Sequence, residues 1–254
     1  MKFPIIIAHR GANSFAPENS LAAFQKAIEL GCEGIELDLR YTGDRQVVVF
    51  HDRNTFRMTG EHGSVRRLSL DQLRRRRLFH PDFPFEKIPT LPEVLEIAGK
   101  NTLINLDIKK ESVSHNGFEE NILRILLDMG FIENVVISSF NPFILKKIKA
   151  LHPGVQVGFI FRNRSSMMML NGSPVESLHA RYRILSQRYL QALRHRADKV
   201  YAWTVDKEKA MLTMIQKGVD GIITNRPELL ISLKHSILFP FETVETMTLS
   251  LVHS

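Results

Sequence analysis

The chain has 254 residues, of which 44% are hydrophobic and 24% are charged, fractions that are ordinary for a soluble globular protein. Its formal net charge of +7 predicts a surface that attracts anions, such as a phosphate-bearing substrate, an acidic membrane surface or nucleic acid. No stretch reaches the roughly 18 apolar residues of a transmembrane helix, so we expect no stable membrane insertion. The apolar run before His9 is too short for a signal peptide and Cys32 is the only cysteine, so we expect a cytoplasmic protein.

Short β-branched runs alternate along the chain with amphipathic segments. The predicted strands are residues 5–8, 34–40, 47–50, 103–108, 135–138, 155–161, 200–205 and 221–224. The predicted helices are residues 20–30, 92–98, 118–129, 142–150, 187–195, 207–216 and 227–234. Eight strands alternating with helices are typical of a (β/α)₈ barrel, or TIM barrel, so we predict this α/β fold.

One connection interrupts the alternation. Only twelve residues separate Asp38 from His51, too few for a helical crossover between parallel strands. We therefore expect residues 39–46 to return as extended chain and to bring both residues to one face of the barrel. We predict a single domain over residues 1–254, with residues 53–87 as a small insertion after the third strand and residues 235–254 as a tail.

The basic run RRRR at positions 74–77 follows a helix-like stretch. It is not accompanied by an RNA-binding aromatic motif or a helix-turn-helix pattern. We therefore interpret the run as a solvated helix face and predict no nucleic-acid partner.

Polar side chains mark the ends of the first four predicted strands. Glu36 and Asp38 share one strand face, as do Asp107 and Lys109, because side chains alternate along a strand. An exposed strand of an ordinary sheet would carry such a face too. In a barrel, however, the strand ends meet at one mouth, and they bring together His9, Arg10, Glu36, Asp38, His51, Asp107 and Lys109. Unpaired polar groups there are costly, so we interpret this set as a functional site.

The carboxylates and cations of this set suit a metal ion and a phosphate. Glu36, Asp38 and Asp107 supply three hard oxygen donors, which favour Mg²⁺ or Ca²⁺ over zinc. Arg10 and Lys109 add positive charge that can hold a phosphate, and arginine offers a bidentate fork.

The two histidines supply proton transfer. His9 and His51 titrate near neutral pH, so one can act as a base and the other as an acid on the leaving oxygen. With the metal ligands and phosphate contacts, the pair predicts a phosphodiester-cleaving site.

The segment AHRGANSFAPENSLAAFQKAIELGCEGIELDLRYTGDRQVVVFHD resembles the N-terminal signature of the glycerophosphodiester phosphodiesterases. Shorter segments similar to that family follow in its order, namely IPTLPEVLE, LINLDIK, VVISSFNP, VYAWTVD and GVDGIITNRPE. The resemblance implies a TIM barrel, a divalent metal ion and hydrolysis of glycerophosphodiesters to glycerol 3-phosphate and an alcohol. It also implies His9 and His51 as the acid/base pair, Arg10 as a phosphate contact, and Glu36 and Asp38 as metal ligands.

The resemblance further matches Glu18 and Asn19 to residues that support the site, although they also suit the start of a helix. Three positions depart from the family's pattern. Asp107 stands where the family has the longer Glu, Asp206 replaces the Asn of WTVN, and Asn225 replaces the Asp of TDRP. The acid/base pair is unchanged, so we expect the protein to be active. We expect the shorter Asp107 to affect which metal ion it prefers.

Trp203, the only tryptophan, ends a predicted strand, and we predict that it walls the glycerol or alcohol part of the substrate. Both a metal-activated water and the substrate's glycerol hydroxyl fit as the attacking group. One alternative is a lysophospholipase D acting on acylated diesters, with an apolar channel formed by Phe79, Phe83, Phe85 and Phe161. Another is a non-catalytic barrel that binds such ligands, which we would expect to lack a histidine.

Overall fold

A closed barrel organises the computed structural model, which describes residues 2–109, 117–170 and 172–240. Its strands, in chain order, are β1 (Ile5–His9), β2 (Gly34–Tyr41), β3 (Val47–Val49), β4 (Leu103–Ile108), β5 (Val135–Ser139), β6 (Gln156–Phe161), β7 (Ser177–Arg181), β8 (Lys199–Trp203) and β9 (Gly221–Thr224). All except β3 run parallel, and β1 pairs with both β2 and β9, which closes the barrel. The TIM barrel predicted from the alternation is confirmed.

Helices connect the strands and cover the sheet. They are α1 (Leu21–Glu29), α2 (Phe56–Thr59), α3 (Leu70–Arg74), α4 (Leu91–Ala98), α5 (Phe118–Asp128), α6 (Pro142–Leu151), α7 (Gln187–Arg194), α8 (Glu208–Lys217) and α9 (Pro227–Leu238). The main core lies between the sheet and these helices, where Ile35, Leu37 and Leu39 of β2 are buried with Phe24 of α1. Alternation along β2 consequently turns its carboxylates toward the barrel interior.

The predicted third barrel strand is wrong. Residues 47–50 were expected to join the parallel barrel, but β3 pairs antiparallel with the end of β2, with Val49 opposite Leu39. The chain leaves the barrel along β2, turns at residues 42–46 and returns, because so short a connection allows only a hairpin. This extended return brings His51 back to the strand ends, where its carbonyl accepts from the guanidinium of Arg40.

The barrel strand missing from the prediction is β7. It pairs with β6 and β8, and its sequence SLHAR contains no β-branched residue. Leu178 and Ala180 join the outer core, while Ser177 and His179 alternate with them and hydrogen-bond to each other.

Residues 53–87 form short helical elements on the mouth side of the barrel. They comprise α2, a 3₁₀ turn at Val65–Arg67 and α3. Side chains from this segment bury a small separate core with β3, made of Val48, Phe50, Val65, Leu73, Leu78 and Ile88.

The C-terminal helix is longer than predicted. Helix α9 extends to Leu238, so the first residues of the predicted tail at 235–254 are helical, while residues 241–254 lie outside the described residues. Within the part of the chain that the structure describes, no helix has both the length and the apolar character needed to cross a bilayer.

Candidate active site

A cavity of about 140 Å³ opens at the C-terminal ends of the barrel strands. Seven of the eight residues singled out from the sequence line it, namely His9, Arg10, Glu36, His51, Asp107, Lys109 and Trp203. The eighth, Asp38, is fully buried, and one of its oxygens lies within 4.8 Å of oxygens of Glu36 and Asp107. The fold therefore brings all eight together.

A tight turn after β1 places Arg10. Arg10 has a φ of +59° and Gly11 a φ of +80°, both in the left-handed region. A Cβ on Gly11 would lie 2.6 Å from the backbone carbon of Ala23, so only glycine fits here. The turn points the backbone N–H of Arg10 at the Glu36 carboxylate, where it donates to Oε2 at 3.0 Å.

Three buried carboxylates form the acidic part of the site. Glu36 and Asp38 project from β2, and Asp107 projects from β4 directly opposite Asp38 in the strand register. Oδ1 of Asp107 and Oδ1 of the neighbouring Asn105 are buried without a hydrogen-bond partner among the described residues. Buried oxygens of this kind need a donor or a cation, and hard oxygen ligands suit a divalent ion such as Mg²⁺ or Ca²⁺. The donor set therefore fits a divalent metal.

Two cations balance part of this negative charge. Lys109 Nζ lies 2.9 Å from Oδ1 of Asp38 and 2.5 Å from Oδ2 of Asp107, and Arg10 Nε lies 3.0 Å from Oδ2 of Asp38. Burial would raise the pKa of Asp38, but Lys109 and Arg10 outweigh it and hold that pKa well below its ordinary range. Burial and then the charge of Asp38 raise the pKa of Glu36. Burial also raises the pKa of Asp107, with Asp38 adding to the rise and Lys109 opposing it.

Residues of the loop before α1 support these charges. Asn19 has a φ of +57° and donates from Nδ2 to Oδ2 of Asp38 at 2.8 Å. Glu18 accepts from Arg10 at 2.9 Å and from Arg57 of α2. Both residues therefore contact the site, as the resemblance implies.

His9 ends β1 and is held by neutral amides. Its Nδ1 lies 2.7 Å from Oδ1 of Asn225, which also accepts from Asn13 at 2.6 Å. Its Nε2 lies 3.9 Å from Oε2 of Glu36. Burial, reinforced by the charge of Arg10, lowers the pKa of His9 to about 4, so the imidazole is neutral near pH 7.

His51 has a charged partner instead. Its Nδ1 lies 2.6 Å from Oδ1 of Asp52, the next residue along the chain. Arg57 donates from Nε to the other oxygen of Asp52. The two histidines thus differ in the partner of Nδ1, which is an amide oxygen for His9 and a carboxylate oxygen for His51.

Aromatic and basic side chains form the opposite wall of the cavity. Trp203 ends β8, donates from Nε1 to the carbonyl of His179 at 2.8 Å, and meets the Phe140 ring edge-on at 5.6 Å between centroids. The guanidinium of Arg162 lies over the same Phe140 ring at 5.0 Å. This wall combines a flat apolar face with a cation.

Sequence reasoning missed several contacting residues. Asn105 and His179 line the cavity, and burial lowers the pKa of His179 to about 3. The guanidinium of Arg40 donates to the backbone carbonyls of His51 and Lys109, at 2.8 Å from Nε and 3.2 Å from Nη1. The position of Asn105, two residues before Asp107 on the same strand face, was the available signal.

The fold and this site define a TIM-barrel protein with an acidic, metal-type centre at the barrel mouth. The glycerophosphoryl diester phosphodiesterase family matches the chain over residues 9–229. A glycerophosphodiester phosphodiesterase of Caldanaerobacter subterraneus subsp. tengcongensis is 37% identical over 90% of this chain and 97% of its own length. The chain therefore belongs to the glycerophosphoryl diester phosphodiesterase family.

Solved structures agree with this assignment. An Oleispira antarctica phosphodiesterase, solved in complex with the product sn-glycerol-3-phosphate, is 26% identical with a TM-score of 0.81 over 92% of this chain and 98% of its own. A glycerophosphodiester phosphodiesterase of Thermotoga maritima is 27% identical with a TM-score of 0.77 over 92% of this chain and 99% of its own.

Proposed function

We propose that this protein hydrolyses glycerophosphodiesters to glycerol 3-phosphate and an alcohol, with His9 and His51 as the acid/base pair. One observation carries the proposal: a single cavity is lined by the imidazoles of His9 and His51 together with cations and carboxylates, and Asp38 is buried beside it. Family membership and the product complex of the Oleispira antarctica enzyme support the same substrate class.

The metal ligands in this proposal are Glu36, Asp38 and Asp107, and the cation is Mg²⁺ or Ca²⁺. When bound, the cation supplies positive charge that stabilises the oxygens of the phosphoryl group as their charge increases. The shorter Asp107 takes the place of the family's usual Glu, and its distance to the other two carboxylates supports its inclusion.

The substrate phosphate is assigned to Arg10 and Lys109. Arg10 can offer its fork to two phosphate oxygens, whereas Lys109 acts as a compact point charge beside Asp38 and Asp107. Trp203 walls the glycerol or alcohol part, and its ring is fixed by the bond to the carbonyl of His179.

Proton transfer follows from the partners of the two histidines. His9 is neutral and carries its proton on Nδ1, so its Nε2 lone pair takes the proton of the attacking hydroxyl. His51 is held at Nδ1 by Asp52, so its Nε2 is the atom that passes a proton to the leaving oxygen. Both a water and the glycerol hydroxyl fit as the attacking group.

A turnover panel tests the proposal. Glycerophosphocholine, glycerophosphoethanolamine, glycerophosphoglycerol and a lysophospholipid are each incubated with Mg²⁺, Ca²⁺ or excess chelator. We expect release of glycerol 3-phosphate from the water-soluble diesters with a divalent ion and none with chelator. Full activity in excess chelator would contradict the metal assignment, and no release under any condition would contradict the proposed function.

One observation favours the second candidate, a lysophospholipase D. Phe79 is 64% exposed and, with Met58, lines a 530 Å³ groove that also contains His9 and Arg10. Phe161, in contrast, is fully buried against Phe159 and contributes nothing to a channel. A strong preference for the lysophospholipid in the same panel, lost in Phe79→Ser, would support this candidate.

We further propose a cytoplasmic location and a single domain with an insertion at residues 53–87. The lone, buried Cys32 supports a reducing compartment. The small core that this insertion shares with β3 supports its assignment to the barrel domain.

A further inference from the structure

A second, larger cavity adjoins the active site on its Trp203 side. It has a volume of about 430 Å³ and shares Arg162, Trp203 and Thr204 with the catalytic cavity. Its other charged lining residues are Arg181, Arg183, Lys207 and Asp206. Among the residues that the structure describes, four cations and one carboxylate therefore line this cavity.

The carboxylate does not neutralise these cations. Asp206 accepts hydrogen bonds from the backbone and side chain of Asn225, at 2.8 and 2.9 Å, and from the hydroxyl of Thr224. Among the described residues, no acidic side chain forms an ion pair with the four cations. Arg162 contacts the Phe140 ring and Arg183 contacts Tyr182, both of which are uncharged partners.

Several other basic residues in the described part of the chain have an acidic partner. In the arginine run at 74–77, Arg74 pairs with Glu93, Arg75 with Asp71 and Arg76 with Glu61. The four cations of the second cavity thus differ from an ordinary solvated surface, where both signs are interspersed. Converging like charges raise the local concentration of an anion.

We propose that this second cavity binds an additional anionic group, a phosphate or a carboxylate, carried by the alcohol part of the substrate. The inference rests on the proposed function and specifies its substrate class. Arg10 and Lys109 hold the diester phosphate, so one arm of the substrate passes Trp203 into the second cavity. Glycerol carries no charge and would form no ionic contact with the four cations. The arm that enters the second cavity is therefore the alcohol part of the substrate.

Two matched substrate pairs isolate the added charge. Glycerophosphoglycerol and its terminally phosphorylated form differ by a phosphate, whereas glycerophosphoethanolamine and glycerophosphoserine differ by a carboxylate. We expect kcat/KM to be higher for the anionic member of at least one pair, and the pair that responds identifies the group.

The variant Arg183→Gln/Lys207→Gln removes two cations of the cavity. We expect it to lower the ratio of kcat/KM within the responding pair by roughly 5- to 20-fold, as two exposed ionic contacts imply. The control variant Arg188→Gln/Lys209→Gln removes the same charge from exposed positions outside the cavity and should leave the ratio unchanged. Equal ratios in the wild type, or equal losses in both variants, would overturn the subsite.

Calorimetric binding separates this inference from the proposed function. The same pairs are titrated into His9→Ala forms of the protein and of both double variants, so that turnover does not consume the ligand. If both members of each pair are hydrolysed and bound equally well, the proposed function is supported and the subsite is contradicted. If neither member of a pair is hydrolysed, the proposed function is contradicted. The subsite is still supported in that case if the anionic member binds more tightly and this preference requires Arg183 and Lys207.

Discussion

The Nδ1 atom of His9 donates to Oδ1 of Asn225 at 2.7 Å, because the amide nitrogen of Asn225 already donates to another residue and its oxygen faces His9. Its nitrogen donates to Oδ2 of Asp206 at 2.9 Å, and a carboxylate can only accept. Its oxygen also accepts from Nδ2 of Asn13 at 2.6 Å. This network assigns the proton of neutral His9 to Nδ1 and leaves the Nε2 lone pair facing the cavity.

The Asp206–Asn225 pair yields the first prediction. The family segment WTVN has an amide at the position of Asp206, and the family segment TDRP has an acid at the position of Asn225. The two departures therefore swap the acid and the amide that hydrogen-bond to each other. Asn225→Asp alone places two carboxylates in contact, and we expect kcat/KM to fall roughly tenfold or more. Asp206→Asn/Asn225→Asp should recover most of the loss, with a coupling of roughly 1–3 kcal/mol.

The measurement is a double-mutant cycle on kcat/KM, with the thermal midpoint of each variant as a check on folding. Asp206→Asn completes the cycle and tests whether an amide can orient Asn225. If the double variant is no more active than Asn225→Asp, the pair does not act as a unit, and the tautomer assigned to His9 loses its support.

The sequence predicts most of the barrel because seven of its eight strands are short apolar or alternating segments that contain β-branched residues. Strand β7 breaks this rule: Ser177 and His179 face the barrel interior, so its sequence resembles a loop. The gap of 38 residues at positions 162–199, too long for one helical crossover, was the remaining signal. Strand β3 was misassigned because three consecutive valines also suit a hairpin outside the barrel.

In the site, the shared position of the three carboxylates could be predicted from the sequence. Side-chain alternation along β2 and β4 and the register between these strands determine the face that carries them. The partners of the histidines could not be found in this way. Asn225 is 216 residues from His9, and only closure of the barrel brings the two together. Arg57 likewise reaches Asp52 and Glu18 from α2, in a segment with no clear periodicity.

The second prediction separates metal binding from proton transfer. Asp107→Ala should weaken the affinity for the divalent ion and lower the rate, and added metal should restore part of the loss. His9→Ala and His51→Ala should keep the metal affinity and each lose roughly 10²–10⁴-fold in rate. The double histidine variant should be little worse than the more damaged single variant, because both residues act in one cycle.

Metal titration and turnover of each variant provide the measurement. Asp107→Glu is the matched control, because it restores the family's longer side chain and should be tolerated or should shift the preference between Mg²⁺ and Ca²⁺. Loss of the metal in His9→Ala with retention in Asp107→Ala would reverse the roles assigned to these residues.

The third prediction concerns the partner of His51. Asp52→Asn removes the carboxylate charge that lies 2.6 Å from Nδ1 of His51, so the ring loses the charged partner that orients it for proton transfer. We expect kcat to fall roughly 10- to 100-fold, with a smaller change in KM, since the charge matters most as the proton is transferred. Asp71→Asn, at an exposed ion pair with Arg75, is the control and should leave kcat unchanged. Equal kcat for wild type and Asp52→Asn would exclude Asp52 from the mechanism.

The fourth prediction concerns the pH dependence of thiol reactivity. Burial, followed by the charge of Glu33, raises the pKa of Cys32 to about 12, and the side chain is only 8% exposed. The thiolate is the reactive form, so raising the pKa lowers its population at pH 8. We expect modification by a disulfide reagent at pH 8 to be at least roughly 10²-fold slower in the folded protein than in guanidinium, where an ordinary thiol pKa of about 8.5 applies. The rate in the folded protein should then rise with pH up to about 12 for as long as the fold persists. A folded-state rate at pH 8 equal to the denatured one would mean that residues 31–33 open freely, against the packing of Cys32 in the main core.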